Sequence, residues 1–158
     1  MPTVTSSDIA AKQLDPKLGN RNQGLKQTAI VLFATAIYTM LGTEAAADSF
    51  KIVKLPPRAM VDPTLSTVTS EGVATTCTLD IGDDDVLGVG AAADVDRYAD
   101  GLDVAAAGID KFDSIIAAAR LTPYVLGSEA WIIGTFATLA TPVAGKKLTI
   151  RLAYLIVG

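Results

Sequence analysis

Eight of the seventeen Asp and Glu residues fall in one stretch: Asp80, Asp83, Asp84, Asp85, Asp94, Asp96, Asp100 and Asp103. Clustered carboxylates can hold Ca²⁺, a hard cation that takes oxygen ligands in flexible number. Asp94, Asp96 and Asp100, the last followed by Gly101, are the candidate ligands. They miss the EF-hand spacing, because no Glu closes the loop at its twelfth position. A solvated loop that uses Asp and Gly for turn geometry explains the same residues, and this is the preferred reading. No metal and no cofactor is therefore expected. Two of these carboxylates could in principle serve glycoside hydrolysis, but no aromatic sugar platform lies nearby beyond Tyr98. Gly82, Gly88 and Gly90 suggest a phosphate loop, yet no Lys-Ser/Thr follows them and the Asp run would repel phosphate. The chain has no His, so the usual base of a serine hydrolase is missing along with the commonest transition-metal ligand. Cys77 is the single cysteine, which excludes an intrachain disulfide and a Cys-based zinc site. It is expected to be a small buried apolar residue. No residue is a candidate for catalysis, and an enzyme is not expected.

Composition bounds the partners. The net charge is −4 and no basic run occurs, so nucleic acid, which needs Lys and Arg to displace counterions, is not an expected partner. Half of the 158 residues are apolar but only 6 % are aromatic. The remainder is rich in Thr and Gly, a mixture that suits sheets and tight turns. Charged residues make up 19 %, below the roughly 25 % of an ordinary soluble domain, as suits a surface that another subunit covers.

The elements that must carry these residues are short and β-like. Residues 1–25 are polar and broken by Pro2, Pro16, Gly19 and Gly24. Such a segment cannot offset its own ordering cost of about 1–2 kcal/mol per residue. It is expected to be an extended N-terminal arm that lies on a neighbouring subunit through Val4, Ile9, Leu14, Leu18 and Leu25. Residues 26–158 form the body. Within Thr28–Leu41, the apolar run Ala29–Leu41 follows Lys26 and precedes Ala45-Ala46-Ala47-Asp48, which gives it the outline of a signal peptide. A polar segment of more than twenty residues precedes it, however, with Asp8 and Asp15 inside. The run is also shorter than the ~20 residues of a span. No membrane partner is expected, and the run reads as a strand buried on both faces. Ile30, Leu32 and Tyr38 within it are candidate interaction residues.

Further strands follow with turn signals between them. Phe50–Leu55 stops at Pro56-Pro57, and Ala59–Val61 and Thr64–Val68 flank a break at Asp62-Pro63. Thr75–Ile81 alternates, with Cys77, Leu79 and Ile81 on one face. Ile115–Leu126 is mixed, and Trp131–Leu139 is apolar on both faces. Lys147–Val157 alternates most clearly, with Leu148, Ile150, Leu152, Tyr154 and Ile156 to one side. Val95–Ala107 is the one helical candidate, interrupted by Gly101. Seven or eight strands in a chain of this size predict an all-β fold, a jelly-roll-like β-sandwich.

Three stretches carry a family resemblance: Leu55-Pro56-Pro57-Arg58-Ala59-Met60-Val61, Thr78-Leu79-Asp80-Ile81-Gly82-Asp83, and the run from Asp94 to Val104. Together they resemble the decoration proteins of tailed bacteriophages, also called cement or head-stabilising proteins, over roughly residues 48–158. The resemblance implies a sandwich fold, a place on the outer capsid surface of the virion, and contact with the major capsid protein. It also implies a homo-oligomer, dimer or trimer, at a symmetry axis of the shell, and no enzyme activity. Two other readings stand beside it. One is an exported β-sandwich adhesin or carbohydrate-binding module, which cleavage after Ala47 would favour; the other is a phage tail structural module.

Overall fold

The computed structural model describes residues 30–85, 93–112 and 124–157. The chain's alternating segments become eight strands: β1 (Leu32–Thr39), β2 (Ser49–Leu55), β3 (Ala59–Glu71), β4 (Ala74–Asp83), β5 (Asp94–Asp103), β6 (Ala107–Lys111), β7 (Ala130–Pro142) and β8 (Lys147–Ile156). They form two four-stranded antiparallel sheets, one ordered β1-β8-β3-β6 and the other β2-β7-β4-β5. Consecutive strands change sheet at every step except β4 to β5. Eight antiparallel strands wound between two sheets in this way make a jelly-roll sandwich.

The period-2 pattern sets which face is buried. Cys77, Leu79 and Ile81 of β4 point into the core, as do Leu148, Ile150 and Leu152 of β8. Ile132 and Phe136 of β7 and Leu102 of β5 join the β4 side of this core, and Val68 of β3 joins the β8 side. Near the β1–β2 end the rings of Tyr38, Phe50 and Phe136 pack together; Tyr38 and Phe50 stack with centroids 4.2 Å apart. Gly134 makes room for this group, because a Cβ there would lie 2.6 Å from the Phe50 ring.

Three expectations are corrected. Val95–Ala107 is not a helix: Asp94–Asp103 is β5, and Gly101, at φ +80°, bends an antiparallel strand whose amide donates to Asp80. Pairing with β4 overrides the local Ala-rich helical preference. The break at Asp62-Pro63 lies inside the single strand β3, as a bulge between Asp62 and Thr67. Asp62 caps the loop by accepting from Thr64 and Leu65, and Ser66 stitches it, donating to the Asp62 carbonyl and accepting from the Ala153 amide. Finally, the described part of the Ala29–Leu41 run, from Ile30 onward, is not a strand buried on both faces. β1 stands at the margin of its sheet and packs one face inward, leaving the other to solvent.

Candidate interaction surface

The outer face of the β1-β8-β3-β6 sheet follows directly from strand register, since residues directly opposite each other in a ladder share a face. Ile37 lies opposite Thr149, Thr149 opposite Thr69, and Thr69 opposite Ile109, a row that crosses all four strands. The neighbouring row runs Thr35, Arg151, Thr67, Lys111. Phe33 extends the face at one corner, where the Arg151 guanidinium sits 4.2 Å over its ring. Phe33, Ile37 and Ile109 are 49 %, 63 % and 70 % exposed. The face is therefore a Thr-rich sheet surface studded with large apolar side chains and carrying the charges of Arg151 and Lys111. Scattered exposed apolar residues are ordinary; large ones set on one sheet face in register mark a surface that another molecule can cover.

The candidate residues of β1 and its lead-in divide between two roles. Ile30 is largely solvent-exposed ahead of β1, and Leu32 is partly exposed at its start. Tyr38 instead faces inward, stacked on Phe50, with its hydroxyl donating to Glu44 at 3.0 Å. Burial, then Glu44, pushes its pKa to about 12. Val4, Ile9, Leu14, Leu18 and Leu25 lie outside the described residues. Phe33, Ile37 and Ile109 were not singled out by the sequence, although Phe33-Thr35-Ile37-Thr39 has the period of one strand face. Ile109 had no such signal, because only pairing with β3 brings it into the row.

The acidic stretch corrects a further expectation. Its members are not uniformly solvated: Asp83 and Asp85 are fully buried. Asp83 accepts from Arg97 Nε at 2.8 Å, from the Tyr98 hydroxyl at 2.7 Å and from the Asp85 amide at 3.0 Å. Asp85 accepts from Ser128 Oγ at 2.7 Å, the Gly127 amide at 2.8 Å and the Tyr124 hydroxyl at 3.1 Å. The Arg97 guanidinium completes the group 3.6 Å over the Tyr124 ring. Burial raises the Asp83 pKa, and the Tyr98 hydroxyl and Arg97 charge counter only part of that rise. This arrangement clasps the end of β4 to β5 and to residues 124–128, and its carboxylates are engaged by donors from the chain itself. Their roles here are structural.

Of the calcium candidates, Asp94 lies 3.8 Å from Arg97 Nη1 and accepts from the Asp96 amide. Hydrogen bonding with the Asp96 side chain, then burial, raises its pKa. Asp100 is exposed on the same strand. Among the described residues, no three Asp, Glu, Cys or His side chains converge as a metal site. Among them, too, no helix is long and apolar enough to cross a membrane.

No protein-family model and no curated protein sequence matches the chain. Its fold does match solved structures. A chain of the structure described as the capsid of Ralstonia phage GP4 superposes with a TM-score of 0.64 at 20 % identity, over 82 % of this chain and 86 % of that one. A chain of the cyanophage Pam1 capsid asymmetric unit gives 0.53 at 23 % identity, over 81 % and 86 %. At these identities the likeness is one of fold: the β-sandwich is shared with chains of two phage capsid structures.

Proposed function

We propose that the protein is a capsid decoration, or cement, protein. It sits on the outer surface of a phage head, binds the major capsid protein, self-associates as a homo-oligomer, and stabilises the shell by packing. The single observation that carries this reading is the outer face of the β1-β8-β3-β6 sheet, with Ile37, Thr149, Thr69 and Ile109 in one row. The shared fold of chains from two phage capsids supports it. Covering a large apolar side chain contributes about 1.5–3 kcal/mol, so a face with several of them gives useful affinity without a deep pocket. Repeated over a closed shell, modest contacts add up through avidity. In the same reading, residues 1–25 lie as an arm across a neighbouring subunit and add backbone hydrogen bonds to its sheet edge.

Co-sedimentation with emptied heads that lack this protein tests the reading. The full chain is expected to pellet with the heads. Ile109→Asp, on the exposed strand β6, should weaken binding at least about tenfold while the fold is kept, since tenfold corresponds to only about 1.4 kcal/mol. Removing residues 1–25 should leave a folded body that no longer binds stably. A full chain that stays in the supernatant with every head preparation would sink the proposal.

A further inference from the structure

Among the described residues, four strands stand at sheet margins: β1 and β6 in one sheet, β2 and β5 in the other. An open edge presents unpaired N–H and C=O groups, and folded chains blunt such edges with charge, bulges, proline or short length. β2 carries Lys51 and Lys54 and shifts register between Lys51 and Val53. β5 carries Asp94, Asp96, Arg97, Asp100 and Asp103, with register shifts against β4. β6 has five residues and ends in Asp110-Lys111. Within its own residues β1 has no such protection. Its eight residues, LFATAIYT, include no charge, proline or glycine, and they pair with β8 without a register shift.

The groups on that open edge can be identified. Met40 turns both backbone groups toward the β8 side, its N–H to the Lys146 carbonyl and its carbonyl to the Gly145 N–H, each at 2.8 Å. In an antiparallel ladder, residues of this kind alternate with residues whose groups point the other way. Phe33, Thr35, Ile37 and Thr39 therefore present their N–H and C=O groups to the open edge.

We propose that this edge takes the same strand of a second copy, antiparallel across a two-fold axis at Thr35, so that two outer sheets continue into one. The register places Thr35 opposite Thr35 of the second copy, with Phe33 opposite its Ile37 on either side. On the inner face it sets Ala34 opposite Ala36 and Leu32 opposite Tyr38. All four outward-pointing residues are then hydrogen-bonding positions of the new ladder or flank it. The occupant is a second copy because an isologous contact brings each residue near its own duplicate. A charge on the margin strand close to the axis would meet itself; of the four margin strands, β1 alone carries none, and Arg151, opposite Thr35, stands one strand back on β8 over the Phe33 ring. Its pairs are instead Thr with Thr and aromatic with β-branched, which are favourable across an antiparallel ladder. This deepens the self-association proposed above. Its test uses the purified chain without capsids, so the two ideas fail separately.

Sedimentation of the full chain at micromolar concentration is expected to give twice the 16.3 kDa chain mass. Thr35→Pro deletes an outward-facing donor that β8 does not use, so it should yield a monomer with an unchanged circular dichroism spectrum, whereas Thr35→Val stays dimeric. Oxidised Thr35→Cys should become a covalent dimer, because hydrogen-bonded antiparallel partners have Cα atoms about 5.5 Å apart, within disulfide reach. Ile37→Cys should not, because it lies about 14 Å along the ladder from its duplicate. The cysteine pair decides the matter even if Thr35→Pro fails to fold. A monomeric wild-type chain, a folded but dimeric Thr35→Pro, or oxidative dimers from Ile37→Cys and not Thr35→Cys would each overturn the proposal. So would a monomer that dimerises only after residues 1–29 are removed, since the chain's own N-terminal segment would then hold the edge.

Discussion

Asp83 shows how one side chain can hold several elements at once. With its carboxylate buried and bonded to Arg97 and Tyr98, truncation strands a mostly buried guanidinium. Asp83→Ala is expected to cost about 3–5 kcal/mol, read as a lower urea midpoint with an unchanged slope. The pH dependence has a definite sign. Burial raises the folded pKa above its unfolded value. This group's contribution is thus fully present below the unfolded pKa and lost as pH rises through the folded one. The stability gap between wild type and Asp83→Asn should widen between about pH 7 and about pH 4; a gap that narrows would show a lowered pKa instead. Cys77 is the quieter case. Burial, then Asp103, lifts its thiol to about 12. It should resist a thiol reagent at neutral pH and react fully once the chain is unfolded; rapid labelling of the folded chain would contradict its place in the core. Its burial was legible in the alternation of Thr75–Ile81. The clasp was not, because Asp83, Arg97, Tyr124 and Ser128 are far apart in the chain and carry no common spacing.

At the scale of elements, two glycines mark where backbones and rings come closest. A Cβ at Gly82 would lie 1.8 Å from the Asp94 carbonyl oxygen, which belongs to the paired strand. At Gly134 the obstacle is the Phe50 ring, which has some freedom to move. Gly134→Ala is expected to cost about 1–3 kcal/mol by overpacking the Tyr38–Phe50–Phe136 group. Gly82→Ala should cost more, since backbone must shift and the β4–β5 ladder opens. Thermal melting of the two variants checks the order, and equal melting temperatures would refute it. The strands themselves were read correctly where one face is apolar, as in β4 and β8. They were misread at β5, where Ala and Asp fit a helix locally and only the ladder with β4 decides, and at β1, whose composition suits burial although its position is a margin.

For the molecule as a whole, a shell held by such subunits should fail at a higher temperature than a bare one. Heads saturated with the wild-type chain are expected to lose their contents at a higher temperature than undecorated heads. A dimer-defective variant should recover less of that gain, because avidity depends on linked sites. Light scattering during heating would report both; equal rupture temperatures for bare and decorated heads would exclude a stabilising role. An all-β sandwich could be read from the residues alone, since a two-residue period and frequent turns are local properties. The orders β1-β8-β3-β6 and β2-β7-β4-β5 could not, nor could the row from Ile37 to Ile109 or the place of the charge-free strand β1 at a sheet margin. Those depend on which strands, distant along the chain, come to lie side by side. Period records the face a residue takes within its own strand, but which strand is its neighbour is settled only when the two sheets close over a common core.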